Sequence, residues 1–322
     1  MKYKSIKDMP QVGFGLWKVP KDVCSNTVYR AIEAGYRHLD SASDYANEEE
    51  VGAGIKAAID QGLCKREDLW VTSKLWNTYH HPDHVKPALE KTLQDLQLDY
   101  LDLYMIHFPI SLEFVPFDQR YPPEWFNDPD SKEPVMIPSR VPLSDTWHAM
   151  EILKKEGLVK HIGICNYSSS LLHDLMNYCE TKPEILQVES HPYLTQEKLI
   201  RLAKNYGLEV TAFSPLGSLS YEELGGAEES ESLLKNESIQ SIAKDLDVSP
   251  AKLILSWALN RGTSIVVKSS DEARMKENLD ASTIKLDPLI LDQISALNIN
   301  KRYNDPGVFC EDAFNTFFPI YE

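Results

Sequence analysis

Eight short runs of β-branched and aliphatic residues alternate with longer segments of helical period, and no other feature limits the fold as much. Strands are predicted at Gln11–Trp17, Arg37–Ala42, Leu69–Leu75, Leu101–Phe108, Lys160–Asn166, Ile185–Glu189, Glu209–Ser214 and Ser264–Ser269. Helices are predicted between them at Val23–Ala34, Glu48–Gln61, Pro82–Leu96, Leu143–Lys155, Ser169–Cys179, Gln196–Tyr206 and Ala273–Leu279, with Ser238–Leu246 and Pro250–Arg261 paired before the last strand. Strands separated by helices run parallel through right-handed crossovers, and eight is the number that closes a barrel. A doubly wound open sheet usually carries GxGxxG after its first strand. Here that place holds GFGLWKVP, which lacks the third glycine and opens no helix. Single barrels of this kind routinely exceed about 250 residues. The expected class is therefore α/β: a (β/α)8 TIM barrel with an N-terminal β segment, extra helices and long loops on the C-terminal face. Residues 1–322 are expected to form one domain.

Prolines mark two helix starts. Pro82 follows His80-His81, and Pro288 follows Asp287 as an N-cap, opening an extra helix over Pro288–Leu297. Three insertions break the pattern: the aromatic, proline-rich Ile110–Pro142, the acidic Leu216–Asn236, and Lys301–Glu322, which reads as an irregular aromatic tail. Loops this long in compact domains are usually functional or disordered, and the aromatic content of the first and third points to substrate walls. Net charge is −16, which argues against nucleic acid or an anionic membrane as partner. The five cysteines form no CxxC pair, and reduced thiols are expected. The N-terminal MKYKSIKDMP is polar, unlike a signal peptide, and no window reaches the roughly 18 apolar residues of a span. A cytoplasmic monomer or homodimer is the expectation.

Four polar residues fall at the ends of successive strands: Asp40 and Tyr45 after the second, Lys74 after the third, His107 after the fourth. In a barrel these ends converge on one face. A tyrosine, with a free pKa of about 10, is a poor acid unless a nearby cation favours its phenolate. Lys74 sits in the buried-looking WVTSKLWN and needs a carboxylate, which Asp40 supplies. The pair is expected to lower the pKa of Tyr45, while His107 hydrogen-bonds a carbonyl oxygen. His80, His81 and His84 begin a polar helix, and no metal site is expected there.

The motifs GYRHLDSASDYANEEEVG, LDYLDLYMIHFP, GICNYSSSLL, LQVESHPYL and KSSDEARMKENL resemble the aldo-keto reductase family over essentially the whole chain. The loop HFPISLEFVPFDQRYPPEWF and the tail RYNDPGVF look most like its D-xylose (aldose) reductases. The resemblance implies a barrel that binds extended NADPH and passes hydride to an aldehyde or ketone. Asp40, Tyr45, Lys74 and His107 would be the catalytic tetrad, with Tyr45 as proton donor.

By the same resemblance, Asn166 and Gln187 would hold the nicotinamide carboxamide and Phe213 would stack on the ring. Cys165 stands where a serine is usual, and Phe213 where a tyrosine is common. Ser214, Leu216 and Ser218 would line the pyrophosphate groove. Lys268, Ser269, Ser270 and Arg274 match the adenosine 2′-phosphate site, with Glu277 and Asn278 at the adenine. Asp271 in that loop, and Glu223 where some xylose reductases hold ribose hydroxyls, make NADH a second cofactor beside a preferred NADPH. Trp17, Trp76, His107 and Phe108 would face the substrate, with Asp44 and Asn304 bonding a polyhydroxylated chain. Trp125 is expected to cover the mouth or anchor its loop. An open-chain aldose is the first substrate class. The alternatives are a sugar phosphate, for which Lys18 and Arg302 are the candidate cations, a general aldehyde, or a non-enzymatic nucleotide-sensing relative.

Overall fold

Eight parallel strands close on themselves in chain order: β1 (Val12–Gly15), β2 (His38–Asp40), β3 (Trp70–Leu75), β4 (Leu101–Ile106), β5 (Val159–Cys165), β6 (Ile185–Glu189), β7 (Glu209–Phe213) and β8 (Ser264–Val267), with β8 pairing back onto β1. They belong to a computed structural model that describes residues 5–321. The first four residues of the polar N-terminal stretch and Glu322 of the tail lie outside the described residues. Among the described residues, the N-terminal β segment is β1 itself, preceded by one 3-10 turn at Ile6–Asp8.

Register fixes what faces inward. Gly15 pairs with Asp40, Asp40 with Thr72, Lys74 with Met105, Met105 with Gly163, Cys165 with Gln187, and Gln187 with Thr211. Side chains alternate along a strand, so these positions share one face, and it is the barrel interior. The other parity, such as Phe14, Leu39, Val71, Ile106 and Ile164, is buried against the helices. The lower interior is apolar, with Met9, Trp70, Leu103, Met105 and Ile185 in one cluster. Towards the strand ends the interior turns polar, through Asp40, Lys74, Cys165 and Gln187. Gly13 is required where His38 fills the interior, because a Cβ there would lie 2.7 Å from His38 Nδ1.

Helices α1 (Lys21–Ala34), α2 (Glu48–Asp60), α3 (Pro82–Leu96), α4 (Leu143–Lys155), α5 (Ser169–Tyr178) and α6 (Glu197–Tyr206) follow the first six strands. Next come α7 (Glu237–Asp245) and α8 (Pro250–Asn260) before β8, then α9 (Glu272–Asp280) after it. The layer closes tightly: at Gly52 a Cβ would meet the carbonyl of Asp95 at 2.6 Å, so α2 and α3 pack backbone to backbone. α10 (Pro288–Ser295) is the expected extra helix, capped by Asp287 and packed on α7 and α8. Among the described residues no helix is long and apolar enough to cross a membrane.

The tail corrects the sequence reading. It is not irregular throughout, because Pro306–Phe314 forms α11. Asp305 caps its start, its carboxylate accepting from Gly307 N at 2.8 Å; Pro306 takes the first turn and Asn315 ends it in a left-handed conformation with φ 47. Asp305-Pro306 carries the same start signal as Asp287-Pro288, but the surrounding aromatics hide any helical period.

Candidate active site

The rim residues are set by backbone ladder bonds that run past the strand ends. Ser41 N donates to Thr72 O at 2.9 Å, His107 N to Leu75 O at 3.0 Å, and Asn166 N to Gln187 O at 3.0 Å. Tyr45 closes a 3-10 turn over Ser43–Tyr45 that returns the chain to the rim. Lys74, wholly buried, spends its three donors there: on Asp40 Oδ1 at 2.6 Å, Ser41 O at 2.8 Å and Tyr45 OH at 3.2 Å. Gln187 Nε2 donates to the other oxygen of Asp40 at 2.7 Å. The His107 ring lies 5.8 Å from that of Tyr45, edge to face. The structure thus brings Asp40, Tyr45, Lys74 and His107 together.

Burial sets the electrostatics. It would drag the ammonium of Lys74 down, but Asp40 beside it, with Tyr45, outweighs this and holds the lysine above its ordinary value. Tyr45 departs from expectation. Burial pushes its hydroxyl above the ordinary tyrosine value, and the pull of Lys74 offsets only part of that. Reading the strand ends alone counted the cation and not the desolvation. At neutral pH the group is therefore a fully protonated donor beside a fixed cation. Burial, helped by Lys74, holds His107 well below the ordinary imidazole range, so its ring is neutral.

Aromatic rings wall one side. Trp76 lies 5.3 Å from His107, 6.1 Å from Phe108 and 4.9 Å from Trp125. Trp125 both covers and anchors: it meets Phe108 at 4.9 Å and Phe309 of α11 at 5.3 Å. Opposite, Trp17 lies 5.7 Å from Tyr221, which stacks 5.7 Å from Tyr303. Asp44 is half-buried, and burial with nearby Glu124 pushes its carboxyl up to about 7. Asn304 Oδ1 is buried without a partner among the described residues, as is Nδ1 of His107.

Sequence reasoning missed three residues here. Glu189 is fully buried, and its carboxylate accepts from Tyr303 N at 2.9 Å and Asn304 N at 2.8 Å, pinning the tail to the end of β6. Its place two residues beyond Gln187, on the same strand face, was an available signal. Tyr221 holds Ser214 Oγ at 3.0 Å. Tyr321 donates to Asn166 Oδ1 at 3.1 Å, and no local pattern marks it.

The residues assigned to a cofactor lie along the rim of β5 to β8 and onto α9. Cys165, whose thiol is pushed up to about 12 by burial, donates weakly to Gln187 Oε1 at 3.7 Å. Phe213 ends β7 half-buried, and Ser214, Leu216 and Ser218 follow, with Ser218 Oγ donating to Glu222 Oε1 at 2.9 Å. Glu223 bonds Lys18 Nζ at 2.8 Å, and Lys18 also donates to Ser220 O at 2.9 Å, so the β1 and β7 loops are latched. Lys268 Nζ donates to Lys18 O at 3.2 Å. Arg274 and Ser270 are exposed, Ser269 and Asn278 are buried, and Glu277 faces a cleft with Lys244, Asp247 and Lys252. Asp271 caps α9 through Arg274 N at 2.9 Å, which puts a carboxylate at the helix start expected to attract a phosphate.

The Aldo/keto reductase family model matches residues 11–299. The NAD(P)H-dependent D-xylose reductase of Kluyveromyces lactis is 48% identical over 96% of this chain and 95% of its own length. The NADPH-dependent aldose reductase of Saccharomyces cerevisiae is 46% identical over 96% of each. Among solved structures, the aldose reductase from Schistosoma japonicum superposes with a TM-score of 0.84 at 34% identity, covering 97% of this chain and 95% of that one.

Proposed function

We propose, starting from the fact that this chain belongs to the aldo/keto reductase family, that it reduces the carbonyl of an open-chain aldose of the D-xylose type to the polyol with NAD(P)H. One observation carries the reading: Lys74 Nζ lies 3.2 Å from Tyr45 OH and 2.6 Å from Asp40 at the rim, beside the aromatic wall. A reduced nicotinamide supplies hydride to the carbonyl carbon. Tyr45 gives its phenolic proton to the oxygen that becomes the hydroxyl, and Lys74 balances the phenolate left behind. Asp40 keeps Lys74 charged and aimed. Neutral His107 donates a hydrogen bond to the carbonyl oxygen and fixes its direction.

The donor set fits the cofactor. Gln187 Oε1 has only a weak thiol bond, which leaves it open to a carboxamide N–H beside Asn166, and Phe213 offers a ring face. Lys268 spends one donor on a carbonyl, and the nearest carboxylate oxygen to Arg274 lies at 3.9 Å, so both cations have capacity for a 2′-phosphate. The carboxylate of Asp271 opposes that charge, which supports use of NADH as well. Asp44, beside Glu124 of the loop that carries Trp125, and Asn304 add hydrogen-bonding groups to a largely aromatic site, which suits a polyhydroxylated chain, as the names of the relatives do. Of the two cations that a sugar phosphate would call on, Lys18 is already held by Glu223. We read residues 1–322 as one domain, and the five free cysteines suit a reducing, cytoplasmic setting.

Initial rates with purified protein and xylose, NADPH and NADH compared, test the reading. Oxidation of either cofactor is expected. Turnover of a simple aromatic aldehyde but not of xylose would discard the sugar and keep the mechanism; silence on both would move a non-enzymatic relative to the front.

A further inference from the structure

Beyond α11 the chain turns back across the rim. Thr316 Oγ1 accepts from Met136 N at 3.0 Å and Asn315 Nδ2 donates to Pro134 O at 3.2 Å, tying the return to the long loop after β4. Tyr321 then enters the site with the Arg302 guanidinium 3.6 Å above its ring. Its hydroxyl lies 3.1 Å from Asn166 Oδ1 and 3.4 Å from Asn166 O.

Asn166 is 2% exposed and has φ 63, so its backbone is committed. Its amide is not fixed by shape, because oxygen and nitrogen are nearly isosteric and only donors and acceptors choose between the two orientations. On one side Nδ2 donates to His107 O at 2.9 Å. On the other, Oδ1 accepts from Tyr321. A half-turn of the amide would set Oδ1 against that carbonyl and turn Nδ2 toward Tyr321, whose hydroxyl would then have to accept instead of donate. The second lone pair of Oδ1 stays available to a ligand N–H.

We propose that Tyr321 is a positioning residue for the nicotinamide: its hydroxyl fixes the side-chain amide of Asn166, through which the C-terminal tail sets the register of the ring. This rests on the reading of Asn166 as a partner of the nicotinamide carboxamide. The adenosine end, held at Lys268 and Arg274, lies outside its reach. The competing account is a plain anchor, in which the hydroxyl only ties down the tail.

Binding titrations of the full chain separate the two. The ligands are NADPH and 2′,5′-ADP, which has the phosphate end and no nicotinamide. The variants are Tyr321→Phe, which keeps the ring under Arg302, Asn166→Gly, which suits the left-handed φ, and the double variant. Tyr321→Phe is expected to weaken NADPH about three- to tenfold, the size of one neutral hydrogen bond, and to leave 2′,5′-ADP unchanged. In the Asn166→Gly background it should add nothing. Equal loss for both ligands, no loss for NADPH, or the same loss in both backgrounds would overturn the proposal. If Asn166→Gly alone leaves NADPH affinity unchanged, the carboxamide reading falls and the proposal with it. If it weakens NADPH while Tyr321→Phe does not, only the proposal falls.

Discussion

Replacing Lys74 by methionine separates what the buried cation does for the fold from what it does for chemistry. The side chain keeps its length and loses three hydrogen bonds, to Asp40 Oδ1, Ser41 O and Tyr45 OH. Asp40, 2% exposed, is left with Gln187 Nε2 as its side-chain partner. Breaking a buried pair from one side costs about 3–5 kcal/mol. At about 2.1 cal/mol/K of unfolding entropy per residue over 322 residues, that is a fall in Tm of roughly 4–7 °C. The loss at the phenol is separate. Burial already pushes Tyr45 up and Lys74 is the main group pulling it back, so the variant holds its proton more tightly. A drop in kcat of roughly 10²–10⁴-fold is expected, the usual worth of a general acid. The rise of alcohol oxidation with pH, which needs the phenolate, should move to higher pH. Adding Asp40→Asn removes the stranded charge and should recover most of the Tm without recovering kcat. The assay is cofactor oxidation on an aldehyde, with thermal unfolding in parallel. Turnover within about tenfold of the parent, or a double variant that regains both properties, would refute the assignment of Tyr45 as an acid served by Lys74.

Lys268→Ala should weaken NADPH by about ten- to a hundredfold, the worth of a charge-assisted bond, and NADH little; equal losses in titrations of the two would mean that the 2′-phosphate site lies elsewhere. Glu48 is buried between Ser73 Oγ at 2.6 Å and Thr92 Oγ1 at 2.9 Å, and burial pushes it from 4.5 to about 7. Its folded value lies above the free one, so the stability it contributes is full below about pH 4.5 and is lost as pH rises through about 7. Glu48→Gln should therefore gain on the parent between about pH 5 and pH 8, by on the order of 2–3 kcal/mol in denaturant unfolding, and a pH-independent difference would reject this. Asp44, pushed up to about 7 by burial, should impose a step near neutral pH on the xylose KM. Asp44→Asn should remove that step and spare benzaldehyde kinetics, and a step that survives belongs to another group.

The order of elements was legible in the sequence because each strand and helix carries its own period and punctuation. Pro82–Leu96, Leu143–Lys155 and Ile185–Glu189 occupy the same residues in both readings. The candidate tetrad was legible for a related reason: in a parallel barrel every strand ends on the same face, so strand ends in the sequence become neighbours in space. The Asp40–Lys74 pair needed only adjacent strands. α11 was missed although Asp305-Pro306 announces it, because its helical period is lost among aromatic residues that face the wall formed by Trp125.

The sequence by itself determined the barrel and the gathering of Asp40, Tyr45, Lys74 and His107 at the strand ends on one rim. Local rules carry that much, since alternation and capping depend on neighbours in the chain. Only the tertiary structure decided that burial outweighs the cation at Tyr45, that Lys18 is spent on Glu223, and that Glu189 and Tyr321 bind the tail to β6 and Asn166. Desolvation depends on everything packed around a group, and a contact spanning 155 positions leaves no period in the chain to read.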